Sequence, residues 1–140
     1  MKAIIDTNVA AYLLLGTEPY AEEADRFFRL VTVRLAPTFW EAELTNVVWR
    51  AIRAGVLHAE EGVAKLRQAD RLGIVSVETR PLCQGALRRS LASGIAVYDT
   101  LFVELAVRER CPLATFDKAL LKAFPEIARR PAAISGSAKP

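Results

Sequence analysis

Ala3-Ile4-Ile5-Asp6-Thr7-Asn8-Val9-Ala10-Ala11-Tyr12-Leu13-Leu14-Leu15 follows Met1-Lys2 at the start of the chain. Ala3 to Ile5 are apolar and read as a short buried strand, and Asp6, Thr7 and Asn8 are residue types that cap helices. A buried strand therefore passes directly into a helix. The same alternation recurs downstream. Tyr20, Ala24, Phe27, Phe28 and Val31 stand at helical spacing behind Pro19, and Val33 to Ala36 reads as a second strand stopped by Pro37. Leu44, Val47, Val48, Ala51 and Ile52 complete a helical stripe that ends at Gly55.

A further helix is expected from Ala59 to Arg71, a third strand over Ile74 to Val77, and a helix that Pro81 opens and Gly94 closes. Tyr98, Leu101, Phe102 and Leu105 give another helical stripe, with Arg108 and Arg110 at the end where cations complement the macrodipole. Pro112 to Thr115 reads as a strand, Asp117 as the cap of a helix through Phe124, and Pro131 to Ile134 as an edge strand. Strands alternating with helices indicate an α/β domain with a mostly parallel sheet of four to five short strands. Several helices fall between successive strands, so part of the helical content forms a projection of its own.

At 140 residues the chain is the size of one domain, expected over 1–134, with the Ser- and Gly-containing segment 135–140 as a disordered tail. Such a chain buries roughly 68% of its unfolded surface, enough for a core without disulfides or structural zinc. The longest apolar run, Val9 to Leu15, falls far short of the ~20 residues that span a bilayer, so no membrane role is expected. Asp6 interrupts the N-terminal apolar segment where a signal peptide would continue, and a cytoplasmic protein is expected. Cys83 and Cys111 lack metal or redox spacing and read as two buried apolar residues. His58 is the sole histidine, so a metal site here must rest on carboxylates. The net charge of +3 permits nucleic-acid binding without demonstrating it.

In open parallel sheets ligands bind beyond the carboxyl ends of the strands, which directs attention to three of the five aspartates. Asp6 follows the first strand, Asp117 follows Leu113-Ala114-Thr115, and Asp99 begins an apolar helix. Each is explicable alone as a helix cap. Together, Asp6 and Asp117 should project from one edge of the sheet. Carboxylates within ~4 Å of one another repel by roughly 4 kcal/mol per pair at an effective dielectric near 20. A proton, an arginine or a divalent cation can offset that repulsion, and hard oxygen ligands favour Mg²⁺ or Mn²⁺. Glu43, Asn46, Arg50 and Arg53 form a polar stripe on the helix that follows Pro37, but periodicity does not choose between Glu43 and Glu41.

Ile4-Ile5-Asp6-Thr7-Asn8, Pro37 with Glu43 and Asn46, Tyr98-Asp99-Thr100 and Thr115-Phe116-Asp117 together resemble the PIN domain, specifically the VapC-type toxins. The resemblance covers nearly the whole chain in order. It implies a three-layer α/β/α domain and a Mg²⁺- or Mn²⁺-dependent endoribonuclease, often a homodimer, neutralised by a cognate antitoxin. It selects Glu43 over Glu41 and implies an acidic quartet of Asp6, Glu43, Asp99 and Asp117, with Asp6 and Asp99 the most direct metal ligands. Thr7, Asn8, Asn46 and Thr115 would hold these carboxylates by hydrogen bonds or serve as ordinary caps. Thr100 and Glu104 stand where the family more often has alanine, and Phe102 where tyrosine is common, which places these three as influences on substrate fit.

Other readings are a phosphoacceptor receiver domain, a phosphatase with a nucleophilic aspartate, and an inert interaction module. The first needs an aspartate ending the third strand, where Ile74-Val75-Ser76-Val77-Glu78 has none. The second usually has another acid two residues after the nucleophile, where this chain has Asn8.

Overall fold

The computed structural model describes residues 1–136. Five strands, β1 (Lys2–Ile5), β2 (Val33–Pro37), β3 (Ile74–Val77), β4 (Leu113–Ala114) and β5 (Ala128–Arg129), pair in the order β3-β2-β1-β4-β5. Every pairing is parallel. The chain builds outward from β1 through β2 to β3, then returns to place β4 and β5 on the other side. The reversal falls between β1 and β4, the position where such sheets open a crevice at their carboxyl edge.

The helices are α1 (Thr7–Leu15), α2 (Tyr20–Leu30), α3 (Trp40–Arg53), α4 (Ala59–Ala69), α5 (Cys83–Ser93), α6 (Val97–Glu109), α7 (Lys118–Ala123) and α8 (Pro131–Ser135). They complete a three-layer α/β/α fold. In it α1 packs with α2, α3 and α4, while α6 packs on β1, β2 and β4 and carries α5 against it. β1 is almost wholly apolar because neighbours on both sides and helices on its faces leave it no solvent: Ala3, Ile4 and Ile5 are at most 1% exposed. α3 and α4, consecutive between β2 and β3, supply the extra helical projection expected from the sequence.

Several local expectations are corrected. The edge strand is Ala128–Arg129, and Pro131 to Ile134 lie in α8. Pro131 has no N–H for a ladder and occupies the first turn of a helix, where none is needed. Glu23 of α2 accepts from the Ala132 N–H at 2.9 Å and pairs with Arg130, fixing α8 to α2. α4 stops at Ala69 and continues as a 3-10 turn, Asp70–Leu72. Cys83 is exposed and Cys111 only half-buried, so the pair is not a buried one. Ser135 ends α8, and residues 137–140 of the expected tail lie outside the described residues. Among those described, no single helix is long and apolar enough to cross a membrane.

Candidate active site

Asp6 is the first residue beyond β1, in extended conformation at φ −68° and ψ 144°. Its side chain makes no cap to α1, so capping does not explain it. The Thr115 hydroxyl, beyond β4, donates to Asp6 Oδ2 at 2.7 Å. Asn8 Nδ2 lies 3.4 Å from Asp6 Oδ2 and from Thr115 Oγ1, while Asn8 Oδ1 accepts the Phe116 N–H at 3.2 Å. These bonds tie the ends of the two adjacent parallel strands together around one carboxylate.

Asp117 does cap α7: its Oδ1 accepts from the N–H groups of Ala119 at 2.8 Å and Leu120 at 3.1 Å. Among the described residues Oδ2 accepts no such bond. Asp99 sits in the first turn of α6, whose N-cap is Ala96, so Asp99 is not the capping residue. Glu43 lies in the first turn of α3, where the Thr7 hydroxyl donates to its Oε1 at 2.8 Å. Glu41 turns the other way and accepts from the Ser76 hydroxyl at 2.9 Å. Rotation about the α3 axis, invisible to periodicity, separates the two glutamates.

Asp6, Glu43, Asp99 and Asp117 line one cleft of about 240 Å³, together with Thr7, Asn8, Asn46, Val47 and Arg50. Burial pushes the Asp6 carboxyl up to about 7; the Thr115 hydrogen bond opposes this, and the charges of Asp99, Glu43 and Asp117 add to it. Burial also raises Glu43, against the Thr7 hydrogen bond and with help from Asp99. Asp99 is raised by burial and by Asp117. The acids from four segments thus sense one another across the cleft. Among the described residues, however, no three acid, histidine or cysteine side chains form a group that would hold a metal ion as they stand. The donors are nonetheless all hard oxygens, and burial penalises the anionic forms of Asp6, Glu43 and Asp99. That is the chemistry a small divalent cation relieves, so the residues fit such an ion.

Arg50 and Val47 border this cleft although helical periodicity alone puts Val47 in an apolar stripe. Val47 is half-buried because it stands at the edge of that stripe. Thr100, Phe102 and Glu104 do not line the cleft, which corrects their expected influence on substrate fit. Thr100 is fully buried and donates to the Ala86 carbonyl at 2.9 Å, while Phe102 packs edge-on to Phe39. Glu104 pairs with Arg89 at 2.7 Å and Arg108 at 3.0 Å. Both polar departures join α5 and α6. Phe27, Phe28 and Trp40 are core residues, whereas Trp49 is half exposed.

A model of the family described as PIN domain matches residues 3–127. Ribonuclease VapC3 of Pyrobaculum aerophilum is 28% identical over 133 residues, covering 91% of this chain and 98% of the relative. Three of the solved structures that share the fold illustrate the likeness. PAE2754 of Pyrobaculum aerophilum superposes with a TM-score of 0.76 at 17% identity, covering 98% of this chain and 88% of that one. A toxin–antitoxin complex from Klebsiella pneumoniae gives a TM-score of 0.68 at 15% identity over 93% and 98% of the two chains. VapBC2 of Rickettsia felis, bound to a promoter DNA fragment, gives 0.64 at 19% identity, again over 93% and 98%. Because the family's pattern runs through residues 3–127, from β1 to the residue before β5, the chain belongs to the PIN-domain family.

Proposed function

We propose that this protein is a cytoplasmic, Mg²⁺- or Mn²⁺-dependent endoribonuclease and the toxin of a toxin–antitoxin pair, acting as a homodimer that a cognate antitoxin neutralises. The observation that carries the nuclease reading is the gathering of Asp6, Glu43, Asp99 and Asp117 around one cleft. The raised proton affinities of Asp6, Glu43 and Asp99 support a cleft that disfavours uncompensated negative charge. Kinship with a relative named a ribonuclease, and fold likeness to toxin–antitoxin structures, support the substrate and the biological setting.

Asp6 and Asp99 would hold the ion directly, and Glu43 and Asp117 would bind it through water or orient a second ion. When bound, a divalent ion lowers the pKa of a coordinated water and stabilises charge on phosphate oxygens. The Thr115 hydroxyl fixes the Asp6 carboxylate, the Thr7 hydroxyl fixes Glu43, and the α7 N–H groups occupy one oxygen of Asp117. These bonds restrict each carboxylate to one orientation before substrate arrives. Arg50, at the cleft, and Arg53, one turn on, supply positive charge for the phosphates that flank the scissile one. Attack by water rather than by the ribose 2′-hydroxyl leaves a 5′-phosphate.

Purified protein incubated with unstructured RNA should cleave it with Mn²⁺ or Mg²⁺ present and stop when a chelator is added. Asp99→Asn should abolish cleavage without changing the folded spectrum. Undiminished turnover in that variant, or in chelator, would remove the metal-held mechanism. The inert-module alternative is tested by melting: Mn²⁺ at about a hundred times its Kd should stabilise the native state by about 2.7 kcal/mol, whereas scattered caps give no such shift.

A further inference from the structure

Trp49 is half exposed, at 51%, although a tryptophan is among the costliest side chains to leave in water. Its ring is covered in part by the Arg53 guanidinium, 4.9 Å from the ring centroid. Arg50, the next residue along, borders the acid cleft. At 100° per residue, Arg53 lies about 60° round α3 from Arg50, and Trp49 about 40° further in the same direction. The helix thus presents, moving away from the carboxylates, one arginine, a second arginine and then an aromatic ring. Among the described residues neither arginine has a carboxylate partner within salt-bridge distance, in contrast to Arg26, Arg29, Arg89, Arg108 and Arg130. This holds for Arg50 even though four acids line its own cleft.

Cations that follow a backbone, with an aromatic face beside them, are the elements by which proteins hold single-stranded nucleic acid. A purely apolar protein contact would not require the two unpaired guanidinium groups between Trp49 and the acids. We infer that Trp49 stacks on a nucleobase of the substrate strand beside the cleaved phosphodiester, with Arg53 holding the indole in place. The inference rests on the nuclease reading above and adds to it a residue that selects how the strand lies across the cleft.

The test uses full-length wild-type protein and the variants Trp49→Ala, Trp49→Leu and Trp49→Phe, with a short unstructured RNA and the same RNA carrying one abasic nucleotide at successive positions. Trp40 is buried, its indole N–H donating to the Ser76 hydroxyl at 3.0 Å, so quenching of tryptophan emission by added RNA reports on Trp49. RNA should quench wild-type emission in chelator. Trp49→Ala and Trp49→Leu should raise KM about tenfold with kcat within about twofold, and Trp49→Phe should restore KM to within about threefold. One abasic position should cost the wild type a similar tenfold and cost Trp49→Ala nothing more. If the wild type cleaves RNA while KM and the abasic profile are unchanged in Trp49→Ala, this inference fails and the nuclease reading stands. A change confined to oligomeric state assigns Trp49 to a protein contact and overturns the inference. Wild-type protein that neither cleaves nor binds RNA defeats the nuclease reading, and the inference with it.

Discussion

Asp6 and Glu104 are both carboxylates with little exposed surface, 7% and 8%, yet their surroundings treat their charge in opposite ways. Burial pushes both upward. At Glu104 the hydrogen bonds and charges of Arg89 and Arg108 outweigh burial and hold the carboxyl below its ordinary value. At Asp6 a single hydroxyl opposes burial, three other acids reinforce it, and the carboxyl rises to about 7. Arg50 borders that cleft without forming an ion pair there. The first arrangement is complete in itself and locks two helices together. The second retains unfavourable electrostatics that a cation would relieve, as expected where binding takes precedence over stability.

The largest effect expected from this contrast is on turnover. Asp6→Asn should lower RNA cleavage by on the order of a thousandfold or more in single-turnover assays, because in the proposed mechanism it removes a charge that would hold the ion. Glu104→Gln should keep cleavage within a fewfold of wild type once assayed below its melting temperature. Equal losses in the two variants would erase the distinction between the sites.

The next effect concerns pH in metal-free protein. A carboxyl whose folded pKa is raised binds more protons in the native state than in the unfolded one, so stability falls as pH rises through the window from about 4 to about 7 and levels off above it. Chemical denaturation in chelator should show Asp6→Asn more stable than wild type at pH 7.5 by roughly 1 to 3 kcal/mol, with the advantage vanishing near pH 4. Glu104 has the opposite sign. Its folded pKa is depressed, so its contribution is present above the unfolded value of about 4.5 and is lost as pH falls through the folded pKa. Glu104→Gln should cost about 2 kcal/mol at neutral pH, discounted for the partial exposure of Arg89 and Arg108, and should show a shallower acid limb in the same denaturation series.

The smallest effect gives the sharpest check on the clasp. A Cβ on Gly85 of α5 would fall 2.2 Å from Glu104 Oε1, so alanine there must displace the carboxylate from its arginines. Gly85→Ala should destabilise the wild type by about 1 kcal/mol, yet stabilise a Glu104→Ala background by about 1 kcal/mol through helix propensity. Equal effects in the two backgrounds, measured by urea unfolding, would show that the close approach is unimportant.

Much of this was legible in the chain itself. Ala3-Ile4-Ile5 followed by Asp6, and Leu113-Ala114-Thr115 followed two residues later by Asp117, already place two acids at the ends of buried strands. Alternation of period marked each central strand and the long helices, because burial on both faces and burial of one helical stripe leave different patterns. The short edge strand was misplaced by a few residues. Two residues of ladder carry no pattern, and Pro131 suits a helix start as readily as a strand end. Capping was an adequate reading of each aspartate in sequence. Only the structure separated Asp117, which caps and faces the cleft, from Asp6 and Asp99, which face it without capping.

The order of apolar and polar residues determined a parallel α/β domain and three aspartates suited to its carboxyl edge, since local periodicity and strand ends are written in neighbouring positions. Tertiary structure decided that Glu43 faces the cleft and Glu41 the Ser76 hydroxyl, that Thr100 and Glu104 join helices, and that Trp49 stays outside the core. Each of those outcomes depends on how a helix is rotated and which neighbour it meets. Contacts between residues far apart in the chain set both.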